Sequence, residues 1–417
     1  MEYGLIGNPL KHSFSKEIHN CIGKYKYELL ELSEKDLGDF LKSKDFKGIN
    51  VTIPYKMKVM PYLDYVDKVA KDIGAVNTIV NKDGLLYGYN TDYLGFDATL
   101  KYNNVNLENK NVLILGTGAT SKTVNYVCKM NKAANIYHAS RHQDNKTISY
   151  DNLDKLYKTI DVIINTTPVG MYPHIDDDLL VDLSCFSHLE CVIDVIFNPL
   201  RTKLLIEASK LHIKAINGLY MLVMQAIYAA NLFKTYKENE MLNKRIYHKI
   251  LKEKQNIVLI GMPSCGKSKL GVRLASSLRC NFYDLDYQIE KKIKMEIKDY
   301  IKQYGEAKFR EIEKEIIEKF RTKKGAVIAT GGGAILDPIN VINLKYNGVL
   351  IFLNRSLNKL KATKSRPLSS SPELLKEKYE TRLPLYKASA DIEINADKEI
   401  EEKIIEIKEI INEIKAY

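Results

Sequence analysis

Two stretches of this 417-residue chain constrain its fold more than any others, and both follow one grammar. One, starting at Asn111, reads NVLILGTGATSKTVNYVCKM; the other, starting at Asn256, reads NIVLIGMPSCGKSKLGVRLASSL. Each opens with a run of Val, Ile and Leu, turns through glycines, and continues with apolar residues at helical spacing. A strand feeding a helix in this way opens an α/β unit. The two turns differ in kind and share no repeat, so they predict two separate sheets. The length agrees, because 417 residues exceed what one hydrophobic core ordinarily serves.

The second turn, GMPSCGKS (Gly261 to Ser268), matches the phosphate-binding pattern GxxxxGK[ST] in its required setting, after a strand and before a helix. Its amides are expected to cradle the phosphates of ATP or GTP, with Ser264, Cys265, Gly266, Lys267, Ser268 and Lys269 as the nucleotide-contacting residues. Lys267 is expected to reach the β/γ-phosphates, and Ser268 to ligand Mg2+. The first turn, GTGATS, is a degenerate dinucleotide fingerprint: Gly116, Thr117, Gly118 and Ala119 form the tight turn against a pyrophosphate. After the next strand a chain that prefers NAD places an acidic residue. Here Ser140, Arg141 and Lys146 stand instead, which points to the 2′-phosphate of NADP(H).

Arginine is informative in this chain. Only ten of the 63 basic residues are Arg, and Arg141 is the only one before residue 200. Where Arg is kept in a lysine-rich composition, bidentate contact with carboxylate or phosphate is the expected reason. The net charge of +11 comes from lysine spread along the whole chain, without a dense basic block, so no nucleic-acid partner is expected. Six cysteines are scattered with no CxxC pair, which argues against a zinc site or disulfide framework and for a reducing, cytoplasmic setting. The amino-terminal residues lack the pattern of a signal peptide. The longest apolar stretch, Leu219 to Phe233, is short for a bilayer span, so no membrane association is expected. All eight histidines lie at or before His248, so catalysis in the last third is left to carboxylates, cations and bound metal.

The amino-terminal half carries further blocks: GNPLKHSFSKEIHN from Gly7, GINVTIPYK from Gly48, GAVNTIV from Gly74, GYNTDYLGF from Gly88, INTTPVGMYP from Ile164, DVIFNPLRTKLL from Asp194 and GLYMLVMQA from Gly218. Together, in this order, they resemble shikimate dehydrogenase over roughly residues 1 to 233. The resemblance implies that Ser13, Ser15, Thr52, Asn77, Asp92, Phe197 and Gln225 bind shikimate, with Val195 and Gly218 added to the NADP contacts. It makes Lys56 the catalytic acid/base and Asp92 its substrate-bound partner. The residue types suit that role: uncharged hydrogen-bonding groups for a polyhydroxylated ring, and an ammonium to protonate a developing alkoxide. Taken singly, Ser13 and Ser15 read better as helix-cap residues, and Asp92 reads reasonably as one. The chain departs from the family where Ala119 replaces a third glycine and Phe197 a common tyrosine, and the domain is short.

In the carboxyl-terminal half, DLD at Asp284 to Asp286, GEAKFREIE from Gly305, ATGGGAIL from Ala329, RPL from Arg366 and RLPLY from Arg382 resemble shikimate kinase over residues 256 to 417. The resemblance implies Asp284 near magnesium, Asp286 on the attacking hydroxyl of shikimate, and Arg310, Gly332 and Arg382 around the acceptor. Arg366 would close over the phosphates in a lid, and Glu313 would support Arg310 from three positions away. The lid departs from the usual pattern in the SSSP that follows Leu368 and in Lys359 where arginine is common.

The expected fold class is therefore α/β: a two-lobed dehydrogenase with a Rossmann-type NADP lobe, then a P-loop kinase domain with a parallel sheet. Expected boundaries are 1–235 for the dehydrogenase (substrate lobe about 1–100 plus 218–235, NADP lobe about 101–217), 236–254 for a polar surface helix or stiff linker, and 255–417 for the kinase. The expected function is reduction of 3-dehydroshikimate followed by phosphorylation of shikimate, with NADP(H), ATP and Mg2+. A quinate/shikimate dehydrogenase using NAD, or one half acting as a ligand sensor, stay open, as does a homo-oligomer.

Overall fold

Short apolar strands alternate with helices along the whole chain in the structure, a computed structural model that describes residues 1–11, 13–141, 147–237, 239–360 and 371–413. Two units result, Met1–Leu251 and the residues from Lys252 onward.

In the first unit, one lobe comprises β1 (Tyr3–Gly7), α1 (Ser15–Ile22), β2 (Tyr27–Glu31), α2 (Leu37–Ser43), β3 (Gly48–Val51), β4 (Tyr65–Val66), α3 (Lys68–Ile73), β5 (Thr78–Lys82), β6 (Leu85–Tyr89) and α4 (Asp92–Tyr102). Its sheet runs β2-β1-β3-β5-β6-β4, parallel at β2-β1-β3 and antiparallel at β3-β5-β6. The second lobe holds β7 (Asn111–Leu115), α5 (Ala119–Met130), β8 (Asn135–Ser140), β9 (Ile148–Ser149), β10 (Val162–Asn165), β11 (Cys191–Asp194), α6 (Lys203–Lys210) and β12 (Lys214–Ile216). These strands form a parallel sheet in the order β12-β11-β10-β7-β8-β9. Val112 to Leu115, Val162 to Ile164 and Val192 to Ile193 are buried, as befits strands covered on both faces. The chain builds outward from β7 to β9, then returns to β10 on the other side. The crevice at the carboxyl ends of β7 and β10 is therefore a topological switch point, where such sheets bind ligands.

The chain then returns to the first lobe through α7 (Leu219–Leu232) and α8 (Glu240–Lys254). The apolar run at 219–233 is a buried core helix, packed on α1 and α4. No helix among the described residues is long and apolar enough to cross a membrane. The segment 236–254, expected as a polar surface helix or stiff linker, is largely a helix, but most of it belongs to the first unit. Ile246, Tyr247, Ile250 and Leu251 recur at helical spacing and join one core cluster with Leu219, Tyr220, Val223 and Ile227. Tyr220 stacks on Tyr102 at 4.1 Å and meets Tyr247 edge-on at 4.9 Å. The polar average of the segment concealed that stripe, and the division falls after Leu251.

The second unit runs β13 (Asn256–Ile260), α9 (Lys267–Leu278), β14 (Asn281–Asp284), α10 (Leu285–Ile293), α11 (Ile297–Tyr304), α12 (Glu306–Phe320), β15 (Ala326–Ala329), α13 (Pro338–Lys345), β16 (Gly348–Asn354), α14 (Pro372–Ser389), β17 (Ile392–Asn395) and α15 (Ile400–Glu413). Its parallel sheet has the order β14-β15-β13-β16-β17. Val258, Leu259 and Ile260 are buried at its centre beside Val349 to Leu353, so the glycine-rich turn leaves the middle of the sheet at its carboxyl edge.

Candidate active sites

Three segments of the first lobe converge beside α7. The loop after β3 carries Lys56, the turn before β5 carries Asn77, and Asp92 opens α4, where the helix N-terminus favours a carboxylate. Lys56 Nζ donates to Asp92 Oδ2 at 2.6 Å, with the two side chains 14% and 8% exposed. Asn77 Nδ2 donates to the other oxygen of Asp92 at 2.8 Å and lies 3.4 Å from Gln225 Oε1 on α7. The Asn77 amide is oriented from behind, since its Oδ1 accepts the Thr91 N–H at 2.6 Å. Four predicted residues thus form one connected group. Thr91, which links Asn77 to the start of α4, was not foreseen.

Ser13 and Ser15 stand at the start of α1, where Ser13 Oγ donates to Ser15 Oγ at 3.1 Å. Between them in sequence, Phe14 packs on Phe197 at 5.2 Å, which ties the start of α1 to the loop after β11. Thr52 follows β3, its N–H bonded to the Ile6 carbonyl. Ser13, Ser15, Thr52 and Phe197 have no hydrogen bond among the described residues to the Lys56–Asp92–Asn77–Gln225 group.

At the switch point Gly116 has φ +104°, a conformation side-chain-bearing residues rarely adopt. Thr117 and Gly118 follow it exposed, and Ala119 begins α5. A β-carbon at Gly118 would meet nothing within 4 Å, so open space lies over the N-terminus of α5. Ser121 Oγ donates to the Gly116 carbonyl at 2.8 Å and fixes the turn. Ser140 ends the neighbouring strand β8, and Arg141 is exposed just beyond it. Lys146 lies outside the described residues. Gly218 abuts Val195 so closely that a β-carbon there would fall 1.9 Å from the Val195 carbonyl oxygen. Behind them Asp194 is buried, accepting from Thr202 Oγ1 at 2.6 Å, Asn165 Nδ2 at 3.1 Å and the Ile196 N–H at 3.0 Å. Burial pushes its carboxyl up to about 6 despite those donors.

In the second unit, Ser264 and Gly266 have φ +67° and +97°, and the turn closes on Lys267 at the start of α9. Lys267 Nζ donates to the carbonyls of Gly261 at 2.8 Å and Met262 at 3.0 Å, with the buried Cys265 sulfur at 3.8 Å. Ser268 Oγ donates to Asp284 Oδ2 at 2.5 Å, while Asp284 Oδ1 caps α10 by accepting the Asp286 N–H at 3.1 Å. One carboxylate therefore joins the phosphate loop to Asp286. Ser264, Gly266, Lys267, Ser268, Lys269 and Asp286 line a cavity of 440 Å3, and Arg310, Gly332 and Arg382 line it further along. Arg310 donates to Glu313 at 2.7 Å and to Glu306 at 2.7 Å. Burial raises the Glu313 carboxyl above the usual range. Arg382 Nη1 and Tyr386 Oη both donate to the Gly332 carbonyl, at 2.9 and 2.6 Å. Tyr386, Glu306 and Lys378, another lining residue, were not foreseen; their positions four residues either side of Arg382 and Arg310 were the available signal. Arg366 lies outside the described residues, as does most of the expected lid.

The shikimate dehydrogenase substrate-binding domain model matches residues 5–79. A shikimate dehydrogenase (NADP(+)) of Methanococcus maripaludis is 38% identical over 263 residues, covering 58% of this chain and 95% of that protein. The chain belongs to the shikimate dehydrogenase family. Solved structures agree: shikimate dehydrogenase 1 of Peptoclostridium difficile is 36% identical with TM-score 0.55, covering 60% of this chain and 98% of that one. A chorismate mutase/shikimate 5-dehydrogenase fusion protein of Clostridium acetobutylicum is 37% identical with TM-score 0.56, covering 60% and 96%. The shikimate kinase model matches residues 263–415. The chain is thus a bifunctional shikimate-pathway enzyme, a shikimate dehydrogenase joined to a shikimate kinase, and its two parallel sheets are the Rossmann-type and P-loop kinase folds.

Proposed function

We propose that the dehydrogenase reduces 3-dehydroshikimate to shikimate with NADPH, and that the kinase transfers the γ-phosphoryl of ATP to shikimate, giving shikimate 3-phosphate. The Lys56–Asp92 pair carries the first half of this reading. NADPH supplies the hydride when bound; the turn at Gly116 to Ala119 fits its pyrophosphate, since the space over Gly118 is open, and Arg141 offers a cation for the 2′-phosphate. Lys56 gives a proton to the carbonyl oxygen as it becomes a hydroxyl. Asp92 holds that ammonium in place, and Asn77 and Gln225 orient Asp92 and the ring hydroxyls. Ser13, Ser15 and Thr52 complete the acceptor shell, with Phe197 as its apolar wall.

In the kinase, Mg2+ neutralises phosphate charge when bound, and the adjoining oxygen donors of Ser268 and Asp284 suit it. Lys267 holds the phosphates, Asp286 takes the proton of the attacking hydroxyl, and Arg310 and Arg382 grip the acceptor carboxylate. The product of the first site is the acceptor of the second. A cytoplasmic setting is in keeping with six unpaired cysteines.

One preparation assayed for both activities tests this. Lys56→Ala should abolish 3-dehydroshikimate-dependent NADPH oxidation and spare the kinase, and Lys267→Ala should do the reverse. Loss of both activities in either variant would contradict two independent sites.

A further inference from the structure

Lys378, Arg382 and Tyr386 recur every four residues on α14 and therefore share one face of the helix. Arg382 and Tyr386 are anchored on the Gly332 carbonyl. Lys378, one turn nearer the helix N-terminus, lines the same 440 Å3 cavity as Arg310 and Arg382. Arg310 is tied to Glu306 and Glu313, whereas among the described residues the Lys378 ammonium has no hydrogen bond or ion pair.

This is a costly place for a lysine. Burial, and then the Arg382 and Arg310 guanidiniums, hold its ammonium below the ordinary lysine value, against a favourable influence from Glu306 and Glu377. Like charges four apart on a helix also oppose each other. An anion between the three cations reverses both effects, because it attracts all three at once. The position on the face of Arg382 puts Lys378 with the acceptor groups, while Lys267 and Ser268 mark the phosphate end.

We propose that Lys378 is a specificity-determining residue of the kinase, a third cation that selects acceptors bearing a carboxylate over uncharged ring polyols. This rests on the reading above that Arg310 and Arg382 hold the acceptor carboxylate.

The test uses the full chain, as wild type, Lys378→Ala, Lys378→Arg and Arg382→Ala, with shikimate and shikimate methyl ester as acceptors. Lys378→Ala should lower kcat/KM for shikimate at least tenfold, through KM, and leave the KM for ATP and kcat/KM for the ester within twofold. Lys378→Arg should recover most of the loss. An effect under twofold on shikimate, or equal losses on acid and ester, would overturn the proposal. Arg382→Ala separates the two levels: if it impairs shikimate use while Lys378→Ala does not, only the role of Lys378 fails. If both variants spare shikimate use, the acceptor-site reading fails with it.

Discussion

Lys56 and Asp92 stand 2.6 Å apart, and Asn77 holds the far oxygen of the same carboxylate at 2.8 Å, so the ammonium is fixed by a group that is itself fixed. The pair joins the loop after β3 to the N-terminus of α4, with little access to water.

Asp92→Asn tests that relationship. The substituted amide cannot accept from both Lys56 and Asn77, so a donor is left facing a donor and the ammonium loses its counter-charge. A misplaced proton donor costs roughly 10²- to 10⁴-fold in rate. Dehydrogenase kcat should fall by that order while kinase kcat on the same sample is unchanged. A dehydrogenase loss below tenfold would remove Asp92 from the proton-handling group.

The contact between Gly218 and Val195 leads to a second expectation. A methyl at 218 would overlap the Val195 carbonyl at 1.9 Å, so either the start of α7 or the loop after β11 must shift. Overpacking of this kind costs about 1–3 kcal/mol. Gly218→Ala should lower the thermal midpoint of the first unit and weaken NADPH binding, read by fluorescence titration. Gly118→Ala is the contrast, because its φ is −75° and its surroundings are open. It should leave the midpoint unchanged and weaken NADPH binding alone.

Sequence and structure coincide where local pattern and chemistry agree. The strands expected from the runs at Asn111 and Asn256 are present as β7 and β13, and the phosphate turn, Asp286, Arg310 and Arg382 line one cavity. The short strands β2, β4 and β9 carry no comparable signal because they lie at sheet edges, where half-exposed residues dilute the apolar pattern. The Lys56–Asp92–Asn77–Gln225 group was assembled by resemblance; spacing alone cannot join residues 148 positions apart, as Asn77 and Gln225 are. The buried face of helix α8 was missed for the opposite reason. Its lysines dominate the composition, while the four residues that bury it form a narrow stripe.

That stripe gives a third prediction. Tyr247 is buried edge-on against the stacked rings of Tyr220 and Tyr102, at 4.9 and 5.5 Å. Removing a buried aromatic ring costs about 3–5 kcal/mol. Tyr247→Ala should destabilise the dehydrogenase unit in denaturant by that order, although the residue lies beyond the expected end of the domain. A free linker would tolerate the change without loss.

The last prediction concerns acid, where two buried groups of the dehydrogenase act in opposite directions. His19 is stacked on Tyr27 at 3.7 Å, and burial holds its imidazole down to about 3 from 6.5. The unfolded chain therefore binds the proton more readily, and stability is lost as pH falls from 6.5 toward 3. At pH 5 the loss is about 2 kcal/mol. Asp194 is raised from 3.8 to about 6, so here the folded chain holds the proton more tightly. Its penalty is full above pH 6, about 3 kcal/mol, and fades as pH falls toward 3.8. Between pH 6 and 4 the two contributions oppose each other and flatten the profile. Asp194→Asn keeps an acceptor for the Ile196 N–H and removes the charge, so the thermal midpoint should drop more steeply from pH 7 to 5 than in the wild type. His19→Gln should make the drop shallower. Thermal unfolding of each variant at pH 5, 6 and 7 checks both signs, and parallel profiles for all three proteins would refute the assignment of acid response to these groups.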